Sequence, residues 1–371
     1  MNIVTAESTK DSIEGAVQDI GRQIGNLEVK MVLFFASAGF APDEIAEKMQ
    51  HAFGDALVFG CMTAGEIVSG KMLKNSLVAM AFNSEVIGNA KIEVVENIRD
   101  ESGAKGVDKA FAGFENHFKM PMQALDIDKY VGIVLTDGLS GAEERVMDRI
   151  GDLTDVLFVG GSAGDDLKFE RTYVYANGKA YTNAALLALI EPKVNFGFIK
   201  TQSFRTLPQK LVATKVNEAE RRVIEFNNKP AAVAYAEAVG SSVEEAANHF
   251  MSKPVGLMVG DEPYVRSPQQ IQGNDMIFYC NVLEGMELAL LESQDIVGDT
   301  KKAIEEKQKQ MGSISAIINF HCILRTLELE KPGFTGKYGK VFSDIPTIGF
   351  STYGEGYIGH INQTSTMLVF E

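Results

Sequence analysis

The segment IPTIGFSTYGEGYIGHINQTSTMLVFE, residues 345–371, contains the pattern around which the chain is organised. It begins with a polar turn between glycines 349 and 354, where the backbone has the freedom that glycine allows. A histidine, an Asn-Gln-Thr run and an apolar stretch typical of a strand follow. This order predicts a loop that presents hydrogen-bonding groups on a β scaffold.

The same pattern occurs near the beginning of the chain. GCMTAGE, residues 60–66, matches GFSTYGE, residues 349–355, at Gly, Thr, Gly and Glu, and each is followed by an apolar run. A looser third copy is GGSAGDD, residues 160–166. The repetition predicts two related domains that each present such a loop. We also expect Gly65 and Gly354 to adopt conformations that a side chain would resist.

Composition indicates an ordinary globular protein. With 371 residues, 45% of them hydrophobic, the chain can bury a sizeable core and is expected to form two domains. Its formal net charge of −15 is spread along the sequence, which disfavours binding to nucleic acid and to anionic membrane surfaces. We therefore expect no nucleic-acid partner and no membrane partner.

The chain also gives no sign of export or of a cysteine framework. Its N-terminus has no basic segment followed by an apolar core, and no apolar run approaches the roughly 20 residues that span a bilayer. We predict a cytoplasmic protein. Cys61, Cys280 and Cys322 are odd in number and widely spaced, which argues against disulfides and against a thiolate zinc site.

Helical and strand-like periodicities alternate along the chain and predict an α+β fold with mixed sheets flanked by helices. A more basic and extended composition before Pro230 indicates a domain boundary. We predict an N-terminal domain with a leading helix at residues 1–200, a boundary segment at 201–225 and a C-terminal domain at 226–371.

Several separated motifs resemble those of the FIST family, whose bacterial members are sensory proteins with an N-terminal and a C-terminal FIST domain. These motifs are GCMTAGE, LFVGGSAGDD with FERTYVY, FHCILRTLELE and GFSTYGEGYIGHINQTSTMLVF. The resemblance extends from about Val29 to the end of the chain. It implies small-ligand sensing in signal transduction. Some members are fused to kinase or cyclase outputs, for which this chain is expected to have no room; it is similar in that respect to stand-alone members that bind haem, sense nitric oxide and regulate a partner histidine kinase. We therefore expect haem with nitric oxide as the leading ligand.

Haem would require one axial side chain, usually a neutral imidazole, and an apolar distal cavity. Among the five histidines, His360 follows the repeated loop and His321 ends a predicted buried strand. We expect His360 first and His321 second as the cofactor-binding and iron-ligating residue. A hydrogen-bonded structural histidine is the alternative at each position.

Two further interpretations remain open. In a haem-free sensor of an amino acid or similar metabolite, the ligand would be bound by polar residues of the C-terminal segment, namely Ser351, Thr352, Glu355, Asn362 and Thr364. GGSAG, residues 160–164, also fits the pattern of a serine hydrolase with Ser162 as nucleophile. That device needs a helix after the serine, whereas a hairpin is predicted here, so we expect no enzyme.

Overall fold

The structure is a computed structural model that describes residues 2–100 and 103–371. Contacts divide the chain into two compact units. Unit 1 comprises the chain up to Thr201, Thr300–His360 and Ser365–Glu371, and unit 2 comprises Gln202–Asp299 and Ile361–Thr364.

This division differs from the consecutive domains predicted at 1–200 and 226–371. Apart from Ile361–Thr364, the segment from Thr300 onward belongs to the same compact unit as the N-terminal 201 residues, because its strands complete a set of three sheets. The insertion that forms unit 2 interrupts this set. Sequence composition marked where the insertion begins but did not reveal that the chain returns to the first unit.

Unit 1 contains three copies of one strand and helix plan. In the first copy, Ser12 caps the opening helix by accepting a hydrogen bond from Gly15 N at 3.3 Å, and Pro42 begins the second helix. The elements are β1 (Ile3–Ser8), α1 (Ile13–Ile24), β2 (Val29–Ser37), α2 (Pro42–Phe53), β3 (Leu57–Thr63), β4 (Glu66–Val68), β5 (Lys71–Leu73) and β6 (Leu77–Asn83).

The second copy follows directly and repeats this order. Its elements are β7 (Ile87–Glu96), α3 (Gly103–Phe118), β8 (Val131–Thr136), α4 (Glu143–Leu153), β9 (Phe158–Ser162), β10 (Val174–Ala176), β11 (Lys179–Tyr181) and β12 (Ala184–Pro192). A short 3-10 helix lies at Met122–Ala124.

The third copy begins with β13 (Phe196–Gln202), after which the chain forms unit 2. Unit 2 is built on an eight-stranded sheet with one longer and one short helix, and two 3-10 helices lie at Glu218–Glu220 and Ala247–His249. Its elements are β14 (Phe204–Asn217), β15 (Arg222–Phe226), β16 (Lys229–Pro230), α5 (Ala231–Val239), α6 (Val243–Ala246), β17 (Val255–Val259), β18 (Glu262–Arg266), β19 (Pro268–Gln272), β20 (Asp275–Phe278) and β21 (Glu287–Ser293).

The third copy then resumes with helices and strands in the same order as before. Its elements are α7 (Ile296–Met311), β22 (Ala316–Cys322), α8 (Ile323–Glu330), α9 (Thr335–Lys340), β23 (Thr347–Thr352), β24 (Glu355–Tyr357), β25 (His360–Ile361) and β26 (Thr364–Phe370).

The hairpins of unit 1 are exchanged between copies. The first sheet has the order β1-β6-β2-β3-β10-β11, the second β25-β24-β9-β8-β12-β7 and the third β13-β26-β22-β23-β4-β5. Each sheet therefore contains four strands of one copy and the hairpin of another. The hairpin β10–β11 extends the first sheet, β24–β25 the second and β4–β5 the third.

One face of each sheet contributes to a common hydrophobic core. Leu33, Ile133 and Ile318 from the central strands of the three sheets all belong to it. The opposite faces are covered by helices. In the first two sheets these helix-facing layers are separate hydrophobic clusters, centred on Phe34 and on Phe158.

The predicted α+β class is confirmed. The looser motif at 160–166 belongs to a complete copy of its own, the second along the chain, so unit 1 holds three copies of the plan. Gly65 has a φ of +134°, as expected for a position that resists a side chain. Gly354 resists one for another reason: a Cβ there would lie 2.1 Å from His360 Cε1. Within residues 2–100 and 103–371, no helix is long and apolar enough to cross a bilayer.

Candidate ligand-binding site

Three loops lie at the carboxyl ends of the central parallel strand pairs of unit 1. Parallel pairing places equivalent residues opposite each other at these ends, so the repeated motifs occupy equivalent positions in the three sheets. The residues paired there are Ser37 with Thr63, Thr136 with Ser162, and Cys322 with Thr352.

In the first and third copies, the loop closes through a threonine and a glutamate. The Thr63 hydroxyl donates to Glu66, and the Thr352 hydroxyl donates to Glu355. Both glutamates are buried, with exposed fractions of 1% and 0%. The second copy has Ala163 at the threonine position, so it cannot make this bond.

Glu66 also accepts hydrogen bonds from Ser76, through the amide at 3.2 Å and the hydroxyl at 2.5 Å. Burial raises the pKa of Glu66 to about 7, although the bonds from Ser76 and Thr63 oppose the shift. The negative charge of Asp166 raises this pKa further. Glu66 therefore exists in both protonation states near neutral pH.

The Thr63 hydroxyl has two possible acceptors. Its oxygen lies 3.3 Å from the carbonyl oxygen of Ala36 as well as within hydrogen-bond distance of Glu66 Oε1. A hydroxyl has one hydrogen, so Thr63 donates to only one of them at a time. If a proton on Glu66 is carried by Oε1, Thr63 accepts a hydrogen bond from that oxygen and its own hydrogen is directed at Ala36.

A polar pocket opens beside this group, and we call it the first-copy pocket. Its volume is about 60 Å³, and it is lined by the ends of β2 and β3, the start of the segment before β6 and the loop after β9. One water needs roughly 10–15 Å³ by this measure, so the pocket can hold a small molecule. The lining residues are Ser37, Ala38, Gly39, Thr63, Gly65, Lys74, Asn75, Asp166 and Lys168.

The first-copy pocket contains charges of both signs. Lys74 Nζ is 2.7 Å from Glu330 Oε1, and this ion pair raises the pKa of Lys74. Asp166 and Lys168, by contrast, make no ion pair with any residue in the described part of the chain. Their charges are therefore available to a ligand.

Asp165 holds the loop that carries these two residues. Its carboxylate accepts hydrogen bonds from the amides of Phe169, Glu170 and Arg171 at 2.9, 2.6 and 3.0 Å, and from Tyr353 Oη at 2.6 Å. Burial opposes ionisation, but these hydrogen bonds outweigh it and lower the pKa of Asp165. The loop is consequently fixed by a charged carboxylate.

The polar residues predicted to bind a metabolite lie in the interior. Ser351 makes a hydroxyl contact with Thr326 at 2.8 Å, and Glu355 accepts from Thr352. All five are at most 1% exposed, and none lines the first-copy pocket. Ligand contact by these five stays a prediction; they are Ser351, Thr352, Glu355, Asn362 and Thr364.

His321 is fully buried on β22. Its Nδ1 lies 2.9 Å from Tyr338 Oη, and its Nε2 has no hydrogen-bond partner in the described chain. Burial, with a smaller effect from Arg325, holds the pKa of His321 well below its usual value. The neutral imidazole that a haem iron prefers is therefore present, but its neighbours include Asn319 and Tyr338 rather than an apolar cavity.

His360 is 6% exposed, and its Nε2 also lacks a hydrogen-bond partner in the described chain. The ring lies against Gly354. Ile358, two residues before His360, is 71% exposed. Neither the polar neighbours of His321 nor the exposed Ile358 supplies the apolar distal cavity that haem requires, and haem stays a prediction.

Ser162 does not occupy the geometry of a serine hydrolase nucleophile. It ends β9 with 2% exposure, and its backbone pairs with Gly354 and Tyr353. The chain continues through residues 163–173 to the hairpin β10–β11 without forming a helix. The expected hairpin after the motif is present, and the helix that a nucleophile elbow needs is not.

Sequence analysis missed the residues that form the first-copy pocket. Ser76 corresponds to Thr364: Ser76 directly precedes β6, Thr364 begins β26, and each follows a residue with positive φ, Asn75 at 52° and Gln363 at 51°. Aligning these short polar runs as well as the glycine motifs would have located Lys74. Lys168 has no such signal, since it comes from another copy.

Comparison with known proteins identifies the family. The FIST N domain matches residues 30–229, and the FIST C domain matches residues 231–357. This chain belongs to the FIST family. FIST domains are sensory domains that detect small ligands in signal transduction.

Individual relatives add little. The FIST protein is 24% identical over 322 residues to an uncharacterized protein of Methanocaldococcus jannaschii, a match covering 81% of this chain and 60% of the relative. The chain thus spans less than two thirds of that protein. A crystal structure of cyanuric acid hydrolase from A. caulinodans covers 52% of this chain and 71% of its own, at 8% identity and a TM-score of 0.28, too low to support an argument.

Proposed function

We propose that this FIST protein senses a small zwitterionic metabolite of the amino-acid class in the first-copy pocket. The observation that carries the proposal is the combination of unpaired charges of opposite sign, Asp166 and Lys168, in a space of about 60 Å³. A ligand carboxylate would pair with Lys168 and a ligand ammonium with Asp166. Hydroxyl groups of Ser37 and Thr63 supply further hydrogen bonds.

Ligand binding in the first-copy pocket would also change the hydrogen bonds of the residues beside it. Thr63 lines the pocket and is bonded to Glu66, whose pKa of about 7 leaves its proton easily displaced. A ligand ammonium close to Glu66 favours its charged form. Binding would then release a proton and return the Thr63 hydroxyl from Ala36 to Glu66. We propose that a signalling partner, such as a histidine kinase, responds to this change.

Titration calorimetry with a panel of amino acids tests the proposal. We expect one class to bind, and we expect Lys168→Met and Asp166→Asn each to weaken binding about ten- to a hundredfold, as loss of a charge-assisted hydrogen bond predicts. Lys179→Met, at an exposed position in β11, is the matched control and should bind normally. Unchanged affinity in both pocket variants, or no binding by any amino acid, would defeat the proposal.

Haem-based nitric oxide sensing is the competing proposal. The Nε2 of His360, which has no hydrogen-bond partner in the described chain, supports it, because this nitrogen can bind an iron. His321 could do so only after its ring hydrogen moved from Nε2 to Nδ1. The absorption spectrum of protein expressed with a haem precursor separates the two. We expect no Soret band; a stoichiometric band that is lost in His360→Ala or His321→Ala would establish haem instead.

A further inference from the structure

The helix-facing side of the third sheet is occupied by polar side chains, which we call the outer polar cluster. It lies between β22, β26 and the helices α7, α8 and α9, and its hydrogen bonds form two groups, Ser365–Asn319–Tyr338–His321 and Arg325–Thr300. Every member is at most 1% exposed. They are Thr300, Asn319, His321, Arg325, Tyr338 and Ser365.

Arg325 brings a buried positive charge into the outer polar cluster. Its Nη2 donates to Thr300 Oγ1 at 3.0 Å, while Nε and Nη1 have no hydrogen-bond partner in the described chain. It makes no ion pair with a carboxylate of residues 2–100 and 103–371. A guanidinium remains charged in proteins, and burial of an unpaired charge is strongly unfavourable. An anion bound next to Arg325 would therefore remove this unfavourable energy.

The hydrogen-bond network assigns the tautomer of His321. Asn319 Nδ2 donates to Tyr338 Oη at 3.3 Å, and Ser365 donates its hydrogen to Asn319 Oδ1 at 2.7 Å. The single Tyr338 hydrogen is then best directed at His321 Nδ1, which is 2.9 Å away. A neutral imidazole that accepts at Nδ1 carries its hydrogen at Nε2.

His321 Nε2 and the two free nitrogens of Arg325 are consequently all donors. The two residues are close enough for Arg325 to disfavour a charge on His321. We propose that the outer polar cluster binds one compact monovalent anion, a halide or a small carboxylate, between Arg325 and His321. Its donors and its uncompensated positive charge match such an acceptor, and this site is separate from the first-copy pocket.

Crystals of the full chain grown in sodium bromide test the site directly. We expect one anomalous peak per chain within about 3.5 Å of Arg325 Nη1 and His321 Nε2. Crystals grown in sodium formate should show a planar anion at the same position, and ion chromatography of the denatured, purified protein identifies which class it retains. Water alone at this position in both crystals would overturn the proposal.

Thermal unfolding in solution gives a second test. At equal ionic strength, replacing bulky gluconate by chloride at about ten times its dissociation constant should raise the midpoint by roughly 2–4 °C. Arg325→Met should abolish this response, and Arg149→Met, which removes a partly exposed arginine of α4, should retain it. An equal response in wild type and Arg325→Met contradicts the proposal, and the wild-type bromide map decides if Arg325→Met does not fold.

Discussion

The first and third copies share a backbone plan but differ in the layer between sheet and helices. In the first copy this layer is hydrophobic, and Phe34 stacks on Tyr175 with ring centroids 5.3 Å apart. In the third copy hydrogen-bonding side chains replace it. Strand register identifies the corresponding pairs as Phe34 and Asn319, Ala36 and His321, and Met62 and Ser351.

The difference shows that strand pairing and side-chain chemistry are separable in this fold. In each copy a glycine, Gly60 or Gly349, allows the two central strands to lie close together. The residue paired with that glycine can be apolar, as Phe34 is, or polar, as Asn319 is. A hydrophobic layer gives packing energy without demanding hydrogen bonds. In a polar layer, every buried polar group needs a hydrogen-bond partner. Nε and Nη1 of Arg325 have none in the described chain, and this is why we propose an anion beside them.

The largest loss of stability is expected at the glycine that the first and third copies share, Gly60 or Gly349. A Cβ at Gly60 would lie 1.8 Å from the Phe34 carbonyl oxygen, and one at Gly349 would lie 2.2 Å from that of Asn319. Gly60→Ala and Gly349→Ala should each cost about 5 kcal/mol or more, comparable to the whole stability of many domains. Chemical unfolding followed by circular dichroism measures this, since the chain has no tryptophan.

Gly21→Ala is the control for this pair of variants. Gly21 lies within α1 with no atom within 4 Å of an added Cβ, so the change should stabilise the protein by about 0.5–1 kcal/mol. Near-normal stability of Gly60→Ala or Gly349→Ala would show that the strands are not paired as described.

The next effect separates the two layers. Phe34→Ala removes a ring that is 1% exposed and should cost about 3–5 kcal/mol, because it leaves a cavity. Asn319→Ala should cost about 1–3 kcal/mol, because it leaves Ser365 without its acceptor. Comparing the two unfolding free energies tests whether the first layer is stabilised by packing and the third by hydrogen bonds. Equal losses of stability would argue against this difference.

Glu66 should make the stability depend on pH. Its folded pKa of about 7 exceeds the ordinary glutamate value of 4.5, so its contribution to stability is fully present below about pH 4.5 and is lost as pH rises through 7. Between pH 5 and 8, wild type should lose about 2.5 kcal/mol relative to Glu66→Gln. Glu85→Gln, at an exposed position, should keep the wild-type pH profile, and a wild-type profile in Glu66→Gln would exclude this role.

The smallest expected effect tests coupling inside the third copy. Ser351→Ala removes the 2.8 Å contact with Thr326 and should cost about 1 kcal/mol. Thr326→Val should cost a similar amount, and the double variant should cost less than the sum because both remove the same bond. Strict additivity in the double-mutant cycle would mean that this hydrogen bond does not contribute.

Much of the fold follows from local patterns in the sequence. The helix predicted from the spacing of Val17, Ile20 and Ile24 is α1, and all three residues are buried. The motif match between residues 60–66 and 349–355 located two equivalent loops. The exchange of hairpins could not be predicted, because strands of two or three residues are too short for their side-chain pattern to show which strand of another copy they pair with.

The candidate site was harder to predict for the same reason. Glycine and hydroxyl residues in the last 27 residues drew attention to the third copy, yet there the loop closes on itself and buries Glu355. The open pocket depends on Lys168 and Asp166, which approach from the second copy. A sequence shows which loops are alike but not which neighbouring chain segment covers them.

The exchanged hairpins bear on how the chain can be divided. A cut between the two family segments, which meet near residue 230, would separate β4–β5 from the third sheet and β24–β25 from the second. Either fragment would then expose unpaired strand edges, which favour aggregation. The segments that match the FIST N and FIST C domains thus share the sheets of unit 1. If they were expressed as two separate chains, we would expect them to fold only when both chains assembled together.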